Sequence, residues 1–266
     1  MVDTTRGQLK QDYVFENTNF EKSREYFHIL PHEEPHTVRR RAMMEKYGDK
    51  IRPLFGYDIR SAFLAVALII TQLVLSYYVT SLSIGWYLVF MWVVGATLNH
   101  TCQCLVHDIT HYLALPGMTS NRILACLICI PTALPSAITF GKYHWEHHQN
   151  MGDPKYDADL PTAAEIAFFC TPLRKFFFVL FQPLFYVLRP LTTKPKVPTG
   201  WELINWAVII TSNYLVYTIC GGWGLAYLLL STFFSMGMHP AGAHTIAEHY
   251  EFYCLLESPQ IIQNCP

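Results

Sequence analysis

No Asp, Glu, Lys or Arg occurs between Arg60 and Asp108, and none occurs between Glu202 and Glu248. Gaps of that length exclude an ordinary soluble surface, which interleaves charge along its sequence. Each gap is long enough for two membrane crossings, because a helix rises about 1.5 Å per residue and roughly 20 apolar residues cross a hydrocarbon core of about 30 Å. Other absences narrow the reading. The formal net charge is −1, so no basic excess points to nucleic acid. Residues 1–58 are polar and charged and show no signal-peptide pattern, so the first apolar segment is expected to act as the insertion signal. Position 2 is Val2 rather than glycine, which excludes N-myristoylation. The cysteines imply no disulfide framework. Cys102, Cys104, Cys126, Cys129 and Cys220 fall in or beside apolar segments, and Cys126 with Cys129 reads as a pair of buried membrane thiols rather than a redox or zinc pair.

What is there fits a bilayer. Hydrophobic residues make up 52% of the chain and charged residues 15%, which places it on the membrane side of the usual range. The expected fold is all-α and integral to the membrane, with four transmembrane helices in two hairpins under a cytosolic helical cap. The spans fall at about 61–79 and 84–104, with a turn at Ser81, Ser83 and Gly85, and at about 203–219 and 224–238, separated by Gly221 and Gly222. Three units follow: a cytosolic segment over 1–58, a membrane domain over 59–252, and a divergent tail over 253–266. Every Lys and Arg lies either at or before Arg60 or between Arg122 and Lys196. The positive-inside rule puts both groups, and therefore both termini, in the cytosol.

Within the cap, Thr37 to Lys50 is expected to be helical and to end at Gly48 and Pro53. Arg39, Arg40 and Arg41 suit either lipid headgroups or a solvated helix face. Residues 123–140 are apolar but interrupted by Pro131 and Pro135, so they read as re-entrant or interfacial. Residues 163–188 read as one amphipathic helix lying on the membrane surface, and residues 194–199 as a linker.

Nine of the twelve histidines gather in three clusters that this topology brings to one membrane face. His107 and His111 are four apart, so both imidazoles share one helix face, with His100 about two turns earlier. His144, His147 and His148, at i, i+3 and i+4, form a far more specific pattern than the first pair. His239, His244 and His249 follow the last span, and Glu248 could support His249. His239, beside Pro240, reads as a helix-end residue rather than a ligand. Imidazole suits several metals, but catalytic zinc needs only three protein ligands. Five strong candidates at one face therefore suggest two metal ions.

At these residues the chain resembles the membrane fatty-acyl and sphingolipid desaturases, with HxxxH as the first box and HxxHH as the second. More narrowly it resembles the sphingolipid Δ4-desaturase family. The matching stretches include Pro35-His36 with Arg39 to Arg41, Asn99-His100, Tyr143 to His148, Asp157 to Thr162, Gln182 to Tyr186, Arg189 to Leu191, His239-Pro240 and Ala247 to Tyr250. The resemblance implies a di-iron enzyme of the endoplasmic reticulum membrane. It implies O2 as co-substrate, electrons from separate cytochrome b5 and its reductase, and insertion of a trans C4–C5 double bond into dihydroceramide. It makes His107, His111, His144, His147 and His148 iron ligands, with His249 and His244 as further candidates and Asp157 and Asp159 as residues that orient a loop or ligands. The family's third box, of HxxHH type, has no counterpart after His249, and the last residues match nothing in the family. A truncated form short of iron ligands is therefore expected. The alternatives are a sphingolipid C4-hydroxylase on the same scaffold, an inactive truncated membrane protein that binds lipid or a desaturase partner, and, weakest, a zinc protease in which Asp108 replaces the glutamate of HExxH.

Overall fold

The computed structural model describes residues 35–150 and 156–244, and it is helical throughout those residues. Eight helices follow in order: α1 (Pro35–Ile51), α2 (Ile59–Tyr78), α3 (Ile84–Thr110), α4 (Met118–Ile128), α5 (Ala137–Gln149), α6 (Ala163–Phe168), α7 (Pro172–Thr193) and α8 (Gly200–Met236). Asp58 caps α2 by accepting from the Arg60 amide, and the Asp58 amide donates to the Leu113 carbonyl at 2.6 Å. The entry of α2 and the exit of α3 therefore lie together, as an antiparallel hairpin requires.

Three helices are long and apolar enough to cross a membrane: Ile59–Ser81, Ile84–Thr110 and Gly200–Met236. The expected third and fourth spans thus form one helical run. That run is broken at Gly221, whose φ of 69° and ψ of −177° are not helical and suit only glycine. Side-chain contacts establish what the break does. Asn213 donates to the Ala133 carbonyl at 3.0 Å, and Thr232 donates to the Thr132 carbonyl at 2.8 Å. About 19 residues of straight helix would hold Asn213 and Thr232 roughly 28 Å apart, so a single rod could not reach two adjacent carbonyls. α8 must double back at Gly221, and Ser76 accordingly contacts Cys220 on the first arm. The second arm, about 15 residues, is roughly 22 Å long and shorter than a full crossing.

α3 contains a π turn at Met91–Gly95. Here α3 and α8 come so close that a side chain on Gly95 would meet Ser231 and Tyr227. Trp92 donates its indole N–H to the Met238 carbonyl at 2.9 Å. Below the turn a buried polar cluster joins three elements. Asn99 donates to Thr232 at 2.9 Å and to the Pro131 and Leu228 carbonyls, and it accepts from Gln72 at 2.6 Å. Tyr227 completes the set by donating to Gln72 at 2.8 Å. In an apolar medium such groups must satisfy one another, and here they do.

The interrupted 123–140 region resolves into two short helices. α4 and α5 are joined by a turn containing Pro131 and Pro135, and both pack beside α3. The expected single helix over 163–188 is corrected to two. α6 ends at Phe168, and α7 begins afresh where Thr171 caps it and Pro172 occupies its first turn. Proline fits that position because the missing N–H would be unpaired there anyway. α7 then continues through Pro183 and Pro190, steadied by a stack of Phe178 on Phe185 with ring centroids 5.4 Å apart.

Candidate metal centre

α3 is long enough to project its last turn beyond the apolar stretch, and α5 packs alongside it. Gly141 permits the approach, since an added Cβ there would lie only 3.2 Å from the Thr110 side chain. α5 is fixed at its other side by Lys142, which pairs with Glu202 at 2.8 Å, and by Thr139, which donates to the same carboxylate at 2.8 Å. Glu202 also closes a capping box with Thr199 at the head of α8. The helix bearing the second histidine box is thereby tied to α8.

This packing brings His107, His111, His144 and His148 together, with a ring nitrogen of each inside a mutual distance of 4.8 Å. The His144 Nε2 lies 3.1 Å from His111 Nε2 and 2.9 Å from His148 Nε2. Imidazole nitrogens sharing one ion at about 2.1 Å stand about 3 Å from each other, so the spacing fits a common metal. The donors are also in the right charge state. Burial, followed by the neighbouring imidazoles His107 and His148, pushes His111 down to about 4. Burial, then His148, His107 and His111, pushes His144 down to about 3. Both are neutral near pH 7 and free to offer a lone pair.

Not every expected ligand joins this quartet. His147 points instead to a carboxylate pair, with its Nδ1 2.8 Å from Asp157 and 3.6 Å from Asp159. The Asp157 carboxylate also accepts from the Asp159 amide at 2.9 Å. Arg189 holds this segment by donating to the Asp159 carbonyl at 2.8 Å while pairing with Glu165 at 3.0 Å. Desolvation, then Asp159, pushes the Tyr186 phenol up, so it remains an O–H able to donate to that carboxylate.

His244 falls in a third group with His100 and Cys104, in which Cys104 Sγ lies 4.0 Å from His244 Nδ1. The sequence reading missed Cys104. The signal was available, since His100, Cys104, His107 and His111 repeat at helical spacing along one stripe of α3. His239 takes the helix-end role expected of it. It accepts from the Ala241 amide at 3.1 Å, and its ring packs on Trp92. His249 lies outside the described residues.

A sequence profile described as Fatty acid desaturase matches residues 84–263, and one described as Sphingolipid Delta4-desaturase (DES) matches residues 23–60. The protein named sphingolipid delta(4)-desaturase DES1 from Drosophila melanogaster is 41% identical over 232 residues, which cover 86% of this chain and 72% of that relative. The chain belongs to the sphingolipid Δ4-desaturase group of the fatty acid desaturases. DES1 of Xenopus tropicalis is 37% identical over the same shares of the two chains. The Homo sapiens relative named sphingolipid delta(4)-desaturase/C4-monooxygenase DES2 is 36% identical over the same shares. No solved structure matches the desaturase chain significantly. As a family member it is an oxidoreductase of the membrane desaturase type, and its histidine groups fit the iron that such a family suggests.

Proposed function

We propose that this protein is a sphingolipid Δ4-desaturase, which inserts a trans C4–C5 double bond into dihydroceramide to give ceramide. The observation that carries the reading is the convergence of four neutral imidazoles from α3 and α5 at the end of a long apolar helix. Iron bound there would supply an oxidant strong enough to remove hydrogen from an unactivated methylene, with O2 as co-substrate. His107, His111, His144 and His148 would hold one ion. His244, with His100 and Cys104 beside it, and His249 are the proposed source of ligands for a second, and His147 is the ring that Asp157 orients beside them.

The level of the site in the bilayer supports the choice of bond. α3 is about 40 Å long, against a hydrocarbon core of about 30 Å, and His107 is in its last turn. Histidines at that height meet the part of a lipid next to its headgroup, where C4 and C5 of a sphingoid base lie, rather than the middle of an acyl chain. The one-sided distribution of Lys and Arg supports a cytosolic location for both termini and for the histidines. A cytosolic face of the endoplasmic reticulum is where separate cytochrome b5 and its reductase would deliver electrons. C4 hydroxylation is the second reading, favoured by the C4-monooxygenase in the name of the human relative.

The test is to express the chain, both as given and with the C-terminal segment of the fly relative grafted after Phe252, in cells without endogenous activity. Products are followed by mass spectrometry and iron by elemental analysis. Ceramide with a C4–C5 double bond is the expected product. A 4-hydroxylated product alone would select the second reading, and iron-loaded protein making neither product in either form would overturn both.

A further inference from the structure

A cavity of about 430 Å³ opens between the end of α3, the start of α4, α5 and the head of α8. Ile109, Ala125 and Ile138 give it an apolar wall, while Arg122 and Trp201 line it opposite. The charges around it balance except at one point. Lys142 is committed to Glu202 at 2.8 Å, and Lys196 to Glu146 at 2.7 Å. Arg122 has no carboxylate and no hydrogen-bond partner among the described residues, and its guanidinium lies 5.8 Å over the Trp201 ring. The cavity therefore carries one surplus positive charge, and the acids beside it have already taken their cations.

Its height in the membrane is fixed by sequence. Arg122 is the first basic residue after one charge-free segment, and Thr199 caps the helix that opens the next. That is the headgroup level, where arginine and tryptophan both belong. A half-apolar cavity with a single uncompensated guanidinium suits a ligand that is anionic at one end and hydrocarbon at the other. With both nearby acids paired, nothing remains to receive a choline or ethanolamine ammonium.

We propose that Arg122 binds the phosphodiester of an anionic glycerophospholipid from the surrounding bilayer, while its glycerol and first methylenes rest on Ile109 and Ile138. This site is separate from the histidine quartet and does not rest on the reaction assigned above. The experiment places the purified full chain in phosphatidylcholine nanodiscs doped with brominated phosphatidylserine or, at the same mole fraction, brominated phosphatidylcholine. Quenching of Trp201 is read as the part of the tryptophan signal lost in Trp201→Phe. The anionic lipid is expected to be preferred about fivefold, the effect of one basic side chain at a membrane surface. Arg122→Gln should abolish the preference and Arg122→Lys should retain most of it, with thermal melting reported for each. Equal quenching by the two lipids in the unaltered protein would overturn the proposal whatever the variants do. So would a preference unchanged in Arg122→Gln, or displacement of the lipid by inorganic phosphate, which would mark a site for free anion instead.

Discussion

His147 Nδ1 lies 2.8 Å from the Asp157 carboxylate, and both side chains are almost wholly shielded from solvent. A carboxylate in that place fixes which ring nitrogen keeps its proton and holds the ring at one angle. Asp157→Asn preserves the shape but weakens that hold. We expect turnover or iron affinity to fall about 10- to 100-fold, the usual effect of losing such a partner. Ceramide formation and iron per protein check it, and unchanged values in both would remove Asp157 from the site.

Within the quartet, His148→Ala takes away the nitrogen that stands 2.9 Å from His144 Nε2. Iron content should drop and product should fall below about one hundredth of the normal rate, while membrane insertion is unaffected. Stripping the unaltered protein with a chelator should reproduce the loss, and adding ferrous iron should reverse it. Retention of iron and turnover by His148→Ala would show that the quartet is not the ion's seat.

Asn99 ties α2, α8 and the turn after α4 through several hydrogen bonds. Interhelical bonds of this kind contribute about 0.6 kcal/mol each on average, so Asn99→Leu should cost about 2 kcal/mol. A melting curve in detergent should shift down by several degrees, with activity in the cold largely kept. A shift of under one degree would mean that Gln72 and Thr232 find other partners.

The two glycines of the α8 reversal should behave differently. Gly221 has a φ of 69° and a ψ of −177°, while a Cβ on Gly222 would meet nothing nearer than a Tyr217 ring carbon at 3.9 Å. Gly221→Ala should cost about 1–3 kcal/mol, and Gly222→Ala should be close to neutral. Equal melting temperatures for the two variants would contradict the reversal.

The orientation can be tested apart from the chemistry. Glycosylation acceptors inserted at Ser83 or Gly222 should be modified in microsomes, and one at Pro195 should not. Modification at Pro195 would move the histidines to the opposite side from the one proposed.

Much of this arrangement was legible from residue spacing, because the forces that set it act over one or two turns. Charge-free stretches fix where helices can lie in lipid, and i,i+4 histidines must share a face. His147 was harder to place. At i+3 from His144 its direction is displaced around the helix, and its partners Asp157 and Asp159 arrive from a separate segment whose path depends on Arg189. The division between α6 and α7 was marked by Thr171 and Pro172, a cap followed by a first-turn proline, but the continuous aromatic pattern concealed it. The π turn of α3 has no comparable mark, since Met91 to Gly95 are ordinary helix formers with one glycine. Close approach to Ser231 and Tyr227 accompanies it, and that is a property of the packed molecule.

That π turn sets the phase of everything beyond it. An α-helix advances about 100° per residue, so removing one residue between Met91 and Gly95 would rotate the far half of α3 by about that angle and draw it back by about 1.5 Å. Tyr87 would still be held by the Trp223 carbonyl, to which it donates at 2.8 Å. His107 and His111 would swing away from α5, and the quartet would be dismantled with every histidine still in the sequence. The helix is indexed like a key, in which one extra notch near its base decides whether the distant teeth meet the lock.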